Sequence, residues 1–382
     1  MYNLGLFLKT AYLSVFKARK TPARWTIRRL IFLIGFYILW PLYGIIIQLC
    51  FLLDDIFYPA NKEQPVRRPL FILGPYRTGS TFLFRTIAKD TKNFTCTHTW
   101  ELFLAPSIIQ RKFVMLLGRV DRFFGGHLKR WFTRLDEDSL GEIPQHKNSM
   151  LSPEEDENIL FHCWSTFHIW FMFPFPDDLP NYYAFDRDIP KKHRRRVMRF
   201  YKRCVQRHLR AHGGRAIYLS KSPAFSAKIE SLNEWFPDAN FVFLARNPLN
   251  VLPSTISWWR TLWTIFGNPP MNYPFTREIF NYTQHWFKDG LKKIKQVDPQ
   301  RRMIVKYNDL VADPFKAISG IYEKFDYDLH EEFRGILQAA QRRERSYRSR
   351  HRYHYGGMGF SRKEIVEGFS EVFEEFGFDR GA

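Results

Sequence analysis

From Leu30 to Leu53 the chain runs 24 residues without a charged side chain. As an α-helix this run would extend roughly 36 Å, longer than a hydrocarbon core of about 30 Å. It must therefore be covered by protein or by lipid. Lys9, Lys17, Arg19, Lys20, Arg24, Arg28 and Arg29 precede it with no acid among them, and Asp54-Asp55 closes it. It begins too late, is too long and lacks the small-residue cleavage site of a secretory signal. Three forms fit. A single span would leave the basic tail in the cytosol and the remaining chain across the membrane. A re-entrant hairpin bent at Trp40-Pro41 would have arms of 11 and 12 residues, each too short to cross. A buried core helix would ordinarily carry a polar stripe, which is missing here. Leu4–Phe16 also has apolar residues at helical spacing and suits a helix lying in a membrane interface.

Past this segment the pattern changes. Asn61–Arg68 is polar, lies near Pro59 and Pro65, and reads as a linker. The expected organisation is a basic tail with a membrane-associated segment over 1–60, a linker over 61–68 and one domain over 69–382. Pro69–Leu73, Ala216–Leu219, Asn240–Ala245 and Met303–Tyr307 are short apolar runs separated by helical stretches. That alternation argues an α/β fold, a central parallel sheet with helices on both faces. Aromatic residues make up 18% of the chain, enough for a large core, and exclude global disorder. Four Cys exclude a disulfide-rich scaffold. A net charge of +20 asks for an anionic partner: nucleic acid, an acidic membrane surface, or a phosphorylated or sulfated ligand. Lys191–Arg215 reads as a long helix with a solvated basic face.

The first strand runs into Gly74-Pro75-Tyr76-Arg77-Thr78-Gly79-Ser80-Thr81. This fits the P-loop pattern G-x-x-x-x-G-K-[ST] except that Ser80 replaces the Lys. Backbone N–H groups at a helix N-terminus still form an anion cradle. The cation that a P-loop directs at β and γ phosphates is missing, and Arg77 is the one cation inside the loop. Such a loop suits a shorter anion than a triphosphate.

Arg77-Thr-Gly-Ser-Thr81 after a strand resembles the 5′-phosphosulfate loop of sulfotransferases that use 3′-phosphoadenylyl sulfate (PAPS). Further stretches agree in order. Leu219-Ser-Lys-Ser-Pro223 resembles the family's K-[SD]-P turn. Phe236-Pro-Asp-Ala239 with Phe241–Pro248 resembles the stretch whose Arg and later Ser bind the 3′-phosphate, here Arg246 and Ser254. Tyr307–Pro314 resembles Y-[EN]-D-L-V-x-x-P. Ser152-Pro-Glu-Glu-Asp-Glu157 and His354–Phe360, followed by Phe369 and Phe376–Phe378, resemble segments of the family's bacterial branch. The resemblance covers about Pro69 to Phe378 and implies a P-loop-like sulfotransferase fold. It assigns Arg77, Thr78, Gly79, Ser80, Thr81, Phe82, Lys221, Arg246, Ser254 and Tyr307 to the nucleotide, with Arg77 and Lys221 on the transferring sulfonate. The product would be 3′-phosphoadenosine 5′-phosphate, and no metal is expected.

Sulfuryl transfer needs a base at the acceptor hydroxyl. Related protein-tyrosine sulfotransferases place a Glu about twenty residues after the loop Arg, a distance that reaches His98 here. A neutral His is a sound base near neutral pH. Glu101 is the next candidate, and Glu154, Glu155 and Glu157 form a third. For the acidic patch the alternative is helix capping, with Ser152 as cap and Pro153 in the first turn. Aromatic-rich Ile159–Phe175 and Ser257–Trp263 suit core packing or an acceptor surface. The uncharged segment points to a lipid, glycolipid or polysaccharide acceptor, and the bacterial-type motifs favour the cytosolic face of a membrane. Two rival readings are a nucleotide kinase or NTPase, opposed by Ser80, and a non-catalytic basic protein that binds membrane or nucleic acid, which leaves the ordered motifs unexplained.

Overall fold

A computed structural model describes residues 2–127, 130, 149–271, 274–346 and 358–381. Most of the basic stretch 342–352, and residues 354–357 of the C-terminal motif, lie outside the described residues.

Five parallel strands form one sheet in the order β2-β3-β1-β4-β5. They are β1 (Leu70–Leu73), β2 (Phe94–Thr95), β3 (Ile217–Lys221), β4 (Asn240–Ala245) and β5 (Arg302–Lys306). The four strands read from sequence form within two residues of their expected ends. β2 is two residues long and pairs only with Ile217 and Tyr218, too short to leave a pattern in the sequence.

The central strands β1 and β4 are fully buried. Alternation along them divides two cores. Phe71, Leu73, Phe241 and Phe243 point to one side, and Leu70, Ile72, Val242 and Leu244 to the other. Helices cover both faces, as expected of a parallel sheet. From β1 the chain turns towards β2 on one side, whereas from β3 it crosses to β4 on the other. The crevice at the carboxyl end of β1 is thus a topological switch point, where open α/β sheets bind ligands.

Helix α1 (Leu4–Tyr12) precedes α2 (Ile27–Phe57), a single 31-residue helix. α2 continues through Pro41, so the bent hairpin is not the form adopted. It is the one helix among the described residues long and apolar enough to cross a membrane by length and composition. Its inner face nevertheless packs on the sheet domain. Phe36 and Trp40 lie against Trp164, which is fully buried. Phe51 meets Phe200 of the Lys191–Ala211 helix. That basic helix is solvated along one side only, because Val197, Met198, Tyr201, Cys204, Val205 and Leu209 are buried beneath it. Most of the aromatic 159–175 stretch is core as well, and forms the seat on which α1 and α2 rest.

The end of α2 is locked by charge. Asp54 is fully buried and accepts from the Ile108 and Ile109 N–H groups at the start of α5 (Ile108–Phe123). Arg207 lies 3.2 Å from its carboxylate, and Asp55 pairs with Arg203 at 2.7 Å. Removing one member of a buried pair leaves the partner's charge uncompensated. Asp54→Ala should therefore lower stability by about 3 kcal/mol or more, whereas Asp55→Ala, partly in solvent, should cost under about 1 kcal/mol. Urea unfolding checks this, and equal losses would contradict it.

Candidate active site

The loop after β1 is shaped by three residues of positive φ: Gly74 at 123°, Arg77 at 65° and Gly79 at 92°. A Cβ on Gly74 would lie 2.4 Å from the Leu244 carbonyl oxygen of β4, and one on Gly79 would lie 2.7 Å from the Tyr307 ring. Glycine is required at both by conformation and by space. Arg77 has a Cβ and still adopts the left-handed region, a strain that concentrates at functional sites. Gly79 leads into α3 (Ser80–Ile87), whose first N–H groups have no intrahelical acceptor. The Thr78 hydroxyl donates to the Pro75 carbonyl at 2.8 Å and closes the arch from within.

Three later segments converge on this loop. Arg77 Nε donates to Ser254 Oγ at 2.9 Å, from the Pro248–Ile265 helix. Arg246, just past β4, donates to the Arg77 carbonyl at 2.8 Å, and its guanidinium lies 3.9 Å from the centre of the Tyr307 ring. Lys221, at the end of β3, is buried and donates to Glu155 Oε1 at 2.7 Å and to Thr81 Oγ1 at 3.3 Å. Around these groups lies a cavity of about 240 Å³ lined by Arg77, Gly79, Ser80, Thr81, Phe82, Arg246 and Tyr307, with Glu155 and Trp258 beside them. Thr78 lies within the loop itself, and Lys221 and Ser254 bond to the lining residues Thr81 and Arg77. The ten residues expected to hold a nucleotide are therefore gathered at one crevice.

The profile of the Sulfotransferase family matches residues 69–331. The chain belongs to the sulfotransferase family. It is 25% identical over 332 residues to omega-hydroxy-beta-dihydromenaquinone-9 sulfotransferase Stf3 of Mycobacterium bovis, a match covering 82% of this chain and 76% of the relative. The fold is similar to that of sulfotransferase STF9 from Mycobacterium avium, with a TM-score of 0.68, 19% identity and coverage of 86% and 82% of the two chains. It is also similar to sulfotransferase STF1 from Mycobacterium tuberculosis, with a TM-score of 0.64, 15% identity and coverage of 96% and 92%.

A sulfotransferase requires a proton acceptor, and the structure separates the candidates. His98 and Glu101 are not among the cavity-lining residues. His98 begins α4 (Thr99–Phe103), and its backbone N–H and Nδ1 face Glu101 Oε2 at 2.9 and 3.1 Å. Glu101 is completely buried. Its Oε1 lies 2.8 Å from His212 Nε2, 3.4 Å from His208 Nδ1 and 3.2 Å from Arg111 Nε. Burial alone would raise its pKa, but these neighbours hold it well below the carboxylate range. Burial also pushes His208 down to about 3, while Glu101 is held ionised by His208, Arg111 and His212 together. Glu101, His208 and His212 bring ligand atoms within 4.8 Å of one another, a cluster that their spacing in sequence does not announce. Arg111 already supplies a positive charge to the same carboxylate.

The acidic patch is divided by burial into different jobs. Ser152 does not cap a helix there, because the 3₁₀ stretch starts at Asp156 with Glu155 in the capping position. Asp156 accepts from Tyr201, from Ser220 at 2.9 Å and from Tyr218 at 3.0 Å. Glu157 accepts from Lys228 at 2.8 Å, Thr166 at 3.0 Å and Ser222 at 3.1 Å. Both are fastened inside the core. Glu155 faces the cavity, and burial pushes its carboxyl up to about 7 against the pull of Lys221. His168 stands 3.8 Å from its second oxygen, hydrogen-bonds Tyr76 at 2.8 Å and is held neutral by burial, with its pKa lowered to about 4. The Tyr76–His168–Asn158 chain behind Glu155 has no signal in the sequence, because Tyr76 lies 92 residues from His168 and nothing in the spacing of Asn158 and His168 announces their 2.7 Å contact. Gly79→Ala should weaken binding of 3′-phosphoadenosine 5′-phosphate at least about tenfold through the clash with Tyr307. Calorimetric titration reads this directly, and unchanged affinity would remove the loop from the binding site.

Proposed function

We propose that this sulfotransferase moves the sulfuryl group of PAPS to the hydroxyl of a membrane-resident lipid, working at the cytosolic face of a membrane. The observation that carries the donor assignment is the Ser254–Arg77–Arg246 hydrogen-bonded chain. It joins a helix N-terminal cradle suited to a 5′-phosphosulfate with an Arg and Ser pair suited to a 3′-phosphate. Two anionic ends of one ligand require two such sites a short distance apart, and the Arg supplies a charge-assisted grip.

For the chemistry, Glu155 is the base that the geometry favours over His98 and Glu101. Lys221 joins it to Thr81, and burial pushes its carboxyl up to about 7, near neutral pH, where a base is most effective. It takes the proton of the acceptor hydroxyl as that oxygen bonds to sulfur. The bond from sulfur to the bridging oxygen breaks, and its electron pair stays on the 5′-phosphate, stabilised by the α3 N–H groups, Arg77 and Lys221. Catalysis rests on positioning and charge, and no step calls for a metal.

A lipid acceptor is supported by two observations. The Stf3 relative is named for a menaquinone derivative. Aromatic residues also connect the cavity to α2: Trp258 and Phe171 surround Tyr76, and nearby Phe173 packs on Phe32 and Phe36. Two experiments test the reading. 3′-Phosphoadenosine 5′-phosphate should raise the melting temperature where ATP with Mg²⁺ does not, and Arg246→Ala should weaken its binding by about 10- to 100-fold. A larger shift with ATP would favour a kinase instead. With sulfur-labelled PAPS, label should pass to a hydroxylated species in a total lipid extract, and label found only in inorganic sulfate would sink the lipid acceptor.

A further inference from the structure

α2 is tied along its whole length to one body. At its start the Thr26 hydroxyl donates to the Gly267 carbonyl at 2.7 Å, and Arg29, fully buried, donates to the Phe266 and Met172 carbonyls at 3.0 and 2.6 Å. Near the middle Gln48 reaches the His162 carbonyl at 3.3 Å. At its end Asp54 and Asp55 are held by Arg207, Arg203 and the start of α5. A 31-residue helix is roughly 46 Å long, and both of its ends rest on the same domain. Crossing a bilayer with the ends on opposite sides would break one set of these bonds and strand Arg29 or Asp54.

Its outward face is a continuous apolar stripe. Ile31, Ile34, Ile38, Leu42, Ile45, Leu49, Leu52 and Ile56 follow each other at intervals of three or four and are each more than half exposed. α1 adds Leu4, Leu8 and Tyr12, and α5 adds Phe113, Leu116 and Phe123. Such a surface is too large to be left in water. Cations border it. Lys9 on α1 and Lys112, Arg119 and Arg122 on α5 are exposed. The Lys191–Ala211 helix, which contains no acid, runs alongside the second half of α2 in the same direction: Arg207 meets Asp54, Phe200 meets Phe51, and the turns before them reach Tyr2, which accepts from Trp40. There Lys191, Lys192, Arg195, Arg196 and Arg199 line a shallow cleft with Tyr2.

We propose that the chain docks on one leaflet of an anionic bilayer, with α2 flat in the interface, its stripe among the acyl chains and the basic edge of the Lys191–Ala211 helix against the headgroups. This deepens the membrane reading above and rests on it. Anionic lipid satisfies the apolar stripe and the cationic border together. A second copy of the chain does not, because a two-fold interface would set like charges face to face.

The full chain should sediment with vesicles of phosphatidylcholine and phosphatidylglycerol and far less with phosphatidylcholine alone. The triple variant Ile38→Glu, Leu42→Glu, Ile45→Glu should lose this binding at least tenfold while keeping its affinity for 3′-phosphoadenosine 5′-phosphate, which reports a folded donor site. Arg195→Ala, Arg196→Ala and Arg199→Ala together should abolish the preference for phosphatidylglycerol. In a background with its own cysteines replaced, Arg24→Cys and Ala60→Cys should both react with an impermeant maleimide from the same side of the membrane. Reaction from opposite sides would overturn flat docking in favour of a span. Undiminished vesicle binding by the triple Glu variant would also overturn it. A wild-type chain that ignores both vesicles, but forms a dimer that the Glu variant dissolves, would assign the stripe to a second copy and end the membrane reading, leaving donor binding to be judged by the nucleotide titration.

Discussion

The buried pair of Lys221 and Glu155 is the contact on which the site depends. At 2.7 Å, in a largely dehydrated wall, neither charge is comfortable without the other. The rest of the site is built to keep them together. β3 delivers Lys221 beside β1, and the Asp156 and Glu157 anchors that directly follow Glu155 fix the backbone that carries it. Lys221 also touches Thr81 at the head of α3, so a single ammonium stands between Glu155 and the N-terminus of that helix. On the proposed mechanism an arriving phosphosulfate gives Lys221 a second anion, and Glu155 then faces the acceptor hydroxyl with its counterion shared.

Much of the fold could be read from the chain. The apolar runs at 69–73, 216–219, 240–245 and 303–307 became strands because each is buried on both faces, and such strands leave an unmistakable pattern. The loop was legible for the same local reason: Gly74 and Gly79 must be glycine where backbone and the Tyr307 ring come close. Which candidate carboxylate or His faces the cavity is harder to read from the chain. Spacing from Arg77 led to His98, yet spacing says nothing about which way a side chain faces. Tertiary pairing turned His98 and Glu101 towards each other and Glu155 towards the cavity. Adjacent positions in Glu154–Glu157 look alike in sequence and differ only through the partners that folding gives them, Lys221 for one and Lys228 for another.

The uncharged 24-residue run limits the possibilities most and leaves the most alternatives open. Length and hydropathy alone permit a span. What those measures omit is that Arg29 at one end and Asp54 at the other have buried partners within one domain. The basic helix at 191–211, expected to present a solvated basic face, is core along one side, with Val197, Met198, Tyr201, Cys204, Val205 and Leu209 buried. The apolar stripe of α2 and the crevice after β1 thus belong to one body, with a layer of buried aromatic residues between them.

The central claim is that Glu155 removes the acceptor proton. The decisive measurement is kcat/KM for sulfonate transfer across pH in the wild type and in Glu155→Gln. A base works only when ionised, so the wild-type rate should rise with pH and level off above about 7, where burial has placed this carboxyl. The variant should be slower by about 100-fold or more and should lack the rising limb, with nucleotide affinity little changed. A variant with near wild-type turnover and the same limb would contradict the account and return the role to His98 or Glu101.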